Sequence, residues 1–275
     1  MKNGTVFGIA RQSLGGYSER RMSLHSLLKS AFYRFGFSIK RLRPSTAGHV
    51  EVKRVVSPGE IRLLLHAEDP YAGFDASEFP LDLHGWGSDS PAFRELIFAQ
   101  KPQLVVEVGT WKGASAIQMA DLLAEAGCDA PILCVDTWLG ALEFWTDTAD
   151  LQRYGSLRLK HGWPQVYYQF LANVCHRGHQ RRIIPFPQTS ATAALWLRTF
   201  GILADLIYLD GSHEEEDVYA DCLAYWEVLA PGGTMFGDDW NWDGVRLAVS
   251  RFAKEQGKAV RFLEDKWVLK KPGTA

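Results

Sequence analysis

The pattern of apolar and polar positions changes character near Lys101. Beyond it, short apolar runs alternate with stretches of helical period. The runs predict strands at Gln103–Glu107, Pro131–Val135, Arg182–Pro185, Asp205–Leu209, Gly233–Gly237, Ala259–Leu263 and Lys266–Lys270. Helices are expected to open near Gly113, Gln165, Thr189, Glu214 and Asp243. Strands alternating with helices imply a parallel sheet covered on both faces. The last two strands depart from this, because only Glu264 and Asp265 separate them. A link that short holds no crossover helix, so this pair must run antiparallel. The expected architecture is a doubly wound α/β fold with a seven-stranded, mostly parallel sheet and an antiparallel C-terminal hairpin.

Upstream of Lys101 the chain reads as helical. Ser57-Pro58-Gly59-Glu60 combines a capping residue, a proline for the first turn and an acid three positions after the cap. Ser90-Pro91 opens a second helix reaching about Gln100, and an aromatic, glycine-bearing loop, Pro80–Ser88, lies between them with His84 inside it. Earlier still, Arg20, Arg21, Lys29, Arg34, Lys40, Arg41 and Arg43 occur with no acid among them, while Leu24, Leu27, Leu28, Ala31, Phe32 and Phe35 recur at helical spacing. Such a basic amphipathic helix suits peripheral contact with an anionic membrane surface through residues 20–43. The commoner use of such a helix is packing on the catalytic domain or on a second subunit of a homo-oligomer. Three segments result: a basic N-terminal extension over 1–50, a helical lead-in over 51–100 and the α/β domain over 101–275.

Bulk composition narrows the class. The 275 residues are 47% hydrophobic and 23% charged, as in ordinary globular proteins, and a net charge of −2 gives no bias toward nucleic acid. Cys128, Cys134, Cys175 and Cys222 are far apart, with no C-x-x-C pair, which fits buried thiols in a reducing, cytoplasmic setting. No apolar run approaches the roughly 20 residues a membrane-spanning helix needs, and no secretory signal is evident.

In open parallel sheets, ligands bind outside the carboxyl ends of the strands. Polar residues collect there: Glu107 and Gly109 after the first strand, Asp136 after the second, Asp210 after the fourth, Asp238 and Asp239 after the fifth. Like charges gathered at one edge call for a cation or a polyhydroxyl ligand. The segment VVEVGTWKGASA, residues 105–116, places Gly109 and Gly113 where a tight turn and close approach to a ligand precede a helix. It is neither a phosphate loop nor a G-x-G-x-x-G dinucleotide turn, and an acid at Glu107 suits an amino-bearing ligand. The segment ILCVDTW, residues 132–138, ends a strand on Asp136, which suits the hydroxyls of a ribose.

The first of these segments resembles motif I of class I S-adenosylmethionine-dependent methyltransferases. That resemblance implies a cofactor contact set of Glu107, Gly109, Thr110, Gly113, Ser115, Asp136 and Thr137. Gln188 and Ser190 would lie near the adenine, although Ser190 or Thr189 is equally a helix cap. Asp210, Asp238 and Asp239 on adjacent strands suit a hard divalent cation such as Mg²⁺. The patterns D-G-S-H at 210–213 and G-D-D at 237–239 are similar to those of metal-dependent sugar O-methyltransferases and the cephalosporin-hydroxylase-like group, over roughly Trp86 to the C-terminus. The similarity implies Asp210, Asp238 and Asp239 as metal ligands, with His213 and Asp210 catalytic and His213 as general base. The acids Glu214–Asp217 read instead as a solvated first turn of a helix. The expected activity is methyl transfer to a hydroxyl of a sugar, glycan or natural product. An NAD-dependent oxidoreductase and a non-catalytic cofactor-binding subunit are the competing readings; the missing dinucleotide turn and the terminal hairpin weigh against the first, the intact acid set against the second.

Overall fold

The computed structural model describes residues 58–274, so the basic helix expected over 20–43 and the extension over 1–50 lie outside the described residues. The helix begun at Pro58 is α1 (Pro58–Leu65), and Ser90 caps α2 (Pro91–Gln100), its hydroxyl accepting from the Ala92 N–H. The alternating part follows as β1 (Val105–Val108), α3 (Ala114–Glu125), β2 (Ile132–Asp136), then a short-element insert. The insert contains α4 (Leu142–Thr146), α5 (Arg153–Leu157) and a two-strand ribbon, β3 (Leu159–Lys160) and β4 (Trp163–Pro164). The chain continues through α6 (Gln165–His176), β5 (Ile183–Pro187), α7 (Ser190–Thr199), β6 (Ala204–Leu209), α8 (Glu215–Glu227), β7 (Leu229–Gly237), α9 (Asp243–Glu255), β8 (Arg261–Leu263) and β9 (Lys266–Lys270).

The seven long strands form one sheet in the order β5-β2-β1-β6-β7-β9-β8. β5, β2, β1, β6 and β7 are parallel, and β9 enters antiparallel between β7 and β8. The two-residue turn at Glu264 and Asp265 makes the closing hairpin, with Leu263 opposite Lys266. The order reverses beside β1, where the chain crosses from one side of the sheet to the other. That is the point where such sheets open a crevice for a ligand.

Two apolar layers cover the sheet because successive strand side chains alternate faces. Val106, Val108, Leu133, Val135, Ile207 and Met235 pack with Ile61 of α1 and with α7, α8 and α9. Val105, Ile132, Cys134, Leu206, Tyr208 and Phe236 pack with α2, α3 and α6. Among the described residues no helix is long and apolar enough to cross a membrane. All four cysteines are free thiols.

Candidate active site

Strand register brings the chemistry together. Val108 is level with Val135 and with Leu209, and Leu209 with Gly237. The next residue of each strand therefore stands at one edge: Gly109, Asp136, Asp210 and Asp238. Glu107 does not join them. It lies within β1, fully buried, where it accepts hydrogen bonds from the hydroxyls of Thr110 and Ser115, both themselves buried, and from the Cys134 thiol. Burial pushes its carboxyl up to about 7, against the lowering effect of those donors. The expectation that Glu107 meets an amino group of a ligand is thus corrected: with Thr110 and Ser115 it braces the turn from beneath.

The glycines of this turn are required by the protein's own packing. Gly109 and Gly113 both have φ of 84°. A β-carbon on Gly113 would meet the Phe170 ring at 2.8 Å, and one on Gly109 would meet the backbone of Asp210. The close approach they permit is to the protein's own chain, which locks the turn after β1 against the end of β6 and against α6.

Asp136 ties the turn from the other side. Its Oδ2 accepts from the backbone N–H groups of Thr110 (2.9 Å) and Trp111 (2.8 Å), and its Oδ1 from that of Trp138 (2.7 Å). Thr137 takes the Leu139 N–H on its hydroxyl. Gln188 is joined to this strand end through its N–H to the Asp136 carbonyl, 3.1 Å. Thr189, not Ser190, caps α7, and the Ser190 hydroxyl donates to Asp221, whose carboxyl burial pushes up to about 6.

At the ends of β6 and β7 each expected metal ligand already has a partner. The Tyr208 hydroxyl lies 3.0 Å from Asp210 Oδ2 and 3.5 Å from Asp238 Oδ2. Burial, then the charges of Asp238 and Asp239, hold the Asp210 carboxyl well above the usual carboxylate range. The Lys266 ammonium donates to Asp238 Oδ2 at 2.6 Å and to Asp265 Oδ2 at 2.9 Å. Asp238 Oδ1 accepts from the Asp239 N–H at 2.8 Å. Asp239 in turn holds His213, Nε2 to Oδ2 2.9 Å. That bond raises the His213 pKa against the lowering effect of burial.

Among the described residues no group of three or more His, Cys, Asp and Glu side chains is arranged to hold a metal ion. The space enclosed by Asp210, Asp221, Asp238 and Asp239 is about 10 Å³, room for about one water. The donor set as placed does not fit the divalent ion that the sequence led us to expect: both oxygens of Asp238 and one each of Asp210 and Asp239 are engaged by Lys266, the Asp239 N–H, Tyr208 and His213.

Two features flank this edge. The His213 and Trp242 rings stack, centroids 4.5 Å apart at 11°, over an open cleft of about 560 Å³ also lined by Asn241, Asp243 and Leu247. On the other side a row of rings and one cation runs from the segment before β1 to the turn after it. His84 meets Trp86 (5.2 Å), Arg153 lies over Trp86 (4.8 Å) and over Phe144 (4.9 Å), and Phe144 meets Trp111 (5.5 Å). The row carries His84 Nδ1, Arg153 Nε and Trp111 Nε1, three buried polar atoms without a protein partner. Sequence reasoning missed Lys266 and Arg153. Nothing in the local pattern marks a lysine at a strand start, or an arginine in an irregular insert, as buried or functional.

Residues 106–240 match the family model described as a methyltransferase domain. No curated protein matches the chain. Similar solved structures include CalS11, a TDP-rhamnose 3′-O-methyltransferase of calicheamicin biosynthesis (17% identity over 64% of this chain and 76% of that one, TM-score 0.47). Others are a putative caffeoyl-CoA O-methyltransferase from Staphylococcus aureus (14%, 78% and 98%, 0.48) and the O-methyltransferase TomG from Streptomyces achromogenes (14%, 79% and 96%, 0.47). Residues 106–240 thus resemble a methyltransferase domain, carried on a seven-stranded sheet whose last strand pair is antiparallel.

Proposed function

We propose that the protein transfers the methyl group of S-adenosylmethionine to a hydroxyl of a sugar, glycan or related natural product. The observation that carries this is the His213–Asp239 pair, seated beside an open cleft at the ends of β6 and β7. With the Nε2–H donated to Asp239, the lone pair is on Nδ1, which makes His213 a base toward a hydroxyl.

The strand edge fits an adenosyl donor. The turn from Gly109 to Gly113 is fixed from both sides, and the indole N–H of Trp111 is buried there without a partner. The turn backbone, Asp136, Thr137 and Gln188 would hold the cofactor, with Glu107, Thr110 and Ser115 supporting from below. When bound, it supplies an electrophilic methyl carbon on a sulfonium. Transfer of that carbon to an acceptor oxygen would break the C–S bond and leave its electron pair on sulfur. The hydroxyl proton passes to His213 Nδ1, and Asp239 stabilises the imidazolium that results. Base assistance of this kind contributes about 10²–10⁴ in rate; alignment of the oxygen behind the methyl carbon contributes the rest.

The row from His84 to Trp111 supports an oxygen-rich acceptor. Arg153 Nε is a donor only and has no protein partner, which suits an acceptor that brings hydroxyl or ether oxygens. The test is formation of S-adenosylhomocysteine from S-adenosylmethionine with a panel of glycosides and polyhydroxylated acceptors. One or more should turn over, and His213→Ala should lose at least about tenfold in kcat while still binding S-adenosylhomocysteine. No turnover across the panel, or full activity in the variant, defeats the reading.

A further inference from the structure

We infer that Lys266 is the resident cation of the acid cluster: its ammonium takes the place of a divalent ion and positions the Asp239–His213 pair. The inference concerns the same edge as the proposed methyl transfer but does not depend on which acceptor is used.

The site is built around the ammonium. The Lys266 side chain is 0% exposed and donates to Asp238 and Asp265. Asp265 is itself held by the Ser90 hydroxyl at the cap of α2. The Phe93 and Tyr208 rings stand 5.7 and 6.0 Å from Nζ, faces that favour a cation. Gly87 closes the remaining side: a β-carbon there would lie 2.6 Å from Lys266 Nζ and 2.4 Å from Asp238 Oδ2. Two carboxylates, two rings and a backbone segment thus enclose one positive charge. A buried charge persists only when paired and hydrogen-bonded in this way.

The ammonium also begins a chain of contacts that reaches the base. Lys266 fixes Asp238 Oδ2, and Asp238 Oδ1 takes the Asp239 N–H. The Asp238 carbonyl accepts the Trp267 indole N–H at 2.9 Å. These bonds hold Asp239 at φ 61°, a left-handed conformation uncommon for a non-glycine residue. Held there, its carboxylate meets His213. Lys266 is therefore a positioning residue, acting through Asp238 and Asp239, and it lies beyond the 106–240 stretch that resembles a methyltransferase domain.

The test uses the full chain, stripped of metal by chelation, with S-adenosylhomocysteine added and Mn²⁺ as probe. Wild type should bind no Mn²⁺ at millimolar concentration by electron paramagnetic resonance, and chelator should leave its Tm unchanged. Stoichiometric Mn²⁺ binding with a rise in Tm, lost in Asp238→Ala, overturns the inference. This measurement needs no acceptor, so its failure is separate from failure of the methyl-transfer reading. The positioning claim is read from the His213 ring by NMR titration. Lys266→Met should lower the protonation midpoint of His213 toward that of a free imidazole, and Lys266→Arg should restore it in part. A midpoint in Lys266→Met that is unchanged, or raised as loss of a positive charge alone would raise it, overturns the claim. If Lys266→Met does not fold, Lys266→Gln decides: a lowered His213 midpoint supports the claim, and one at the wild-type value overturns it.

Discussion

A β-carbon added to Gly109 would stand 1.9 Å from the carbonyl oxygen of Asp210. No real side chain tolerates that distance, so the turn after β1 and the end of β6 are joined at the one position where a hydrogen must replace a methyl group. Gly109→Ala carries two costs: a left-handed conformation for an L-residue, about 1–2 kcal/mol, and overlap with backbone, about 1–3 kcal/mol. The expected loss is about 3 kcal/mol, or a fall in Tm of about 10 °C for a chain of this size. Thermal unfolding measures it. A variant within a degree or two of wild type would mean that the two strand ends move apart without penalty.

Glu107 makes stability depend on pH in a direction opposite to most carboxylates. Its folded pKa is about 7 against an ordinary value of 4.5. Between those values the folded state binds more protons than the unfolded state, so stability falls as pH rises and levels off above about 7. At about 1.4 kcal/mol per unit, the loss is roughly 3 kcal/mol. Asp221, with a carboxyl near 6, acts with the same sign. Glu107→Gln cannot ionise. Its stability relative to wild type should therefore improve by about 3 kcal/mol between pH 5 and pH 8, as read by urea unfolding at both pH values. An equal difference at the two pH values would show that Glu107 is charged throughout.

These two residues also show what a sequence carries and what it does not. The strands were legible to within a few residues because each buried run is continuous and bounded by turn residues. The hairpin direction followed from the length of the link at Glu264 and Asp265 alone. Asp136, Asp210 and Asp238 were legible as an edge because an acid at the end of an apolar run has few other places to go. The burial of Glu107 was not: two residues before the edge on its strand, its side chain lies beneath the turn, against Thr110, Ser115 and Cys134. Nothing around Lys266 in the sequence marks it as buried. Its burial is decided by Ser90, Gly87 and Phe93, residues distant in sequence that no local pattern connects to it. The insert of α4, α5 and the β3–β4 ribbon was also unread. Helices of five residues without a capping side chain show no period, and Leu142 and Trp145 remain exposed.

The His213–Asp239 pair fixes the pH profile of the proposed reaction. His213 must be neutral to accept a proton, and the bond to Asp239 holds its pKa above 6.5. The rate kcat/KM should rise with pH and level off above that raised value. In Asp239→Asn the inflection should move down toward 6.5 as the negative charge is removed. The plateau should fall by about tenfold or more, because the imidazolium loses its partner and its tautomer is no longer set. A profile that keeps its wild-type inflection in Asp239→Asn would assign the titrating group elsewhere.

Asp136 restrains two tryptophans in unfavourable conformations. Trp111 and Trp138 both have φ of 51°, each costing about 1–3 kcal/mol unless the surroundings enforce it. The Asp136 carboxylate takes the backbone N–H groups of both residues and of Thr110, and the Trp138 indole N–H closes the set on the Trp111 carbonyl at 2.8 Å. Asp136→Ala leaves those three N–H groups without their acceptor, at about 1–3 kcal/mol each where water cannot replace it. A total loss of about 4 kcal/mol is expected, partly relieved if the turn relaxes. The relaxed turn should no longer bind S-adenosylhomocysteine, because Trp111 would leave the cofactor edge. Thr199→Ala is the control: its exposed hydroxyl donates to the Leu195 carbonyl at the end of α7, and its loss should stay within about 0.5 kcal/mol. Calorimetric titration with S-adenosylhomocysteine, beside unfolding of both variants, separates the two effects. Full affinity in Asp136→Ala would mean that the cofactor is held without this turn, and that the strain at Trp111 and Trp138 serves packing alone.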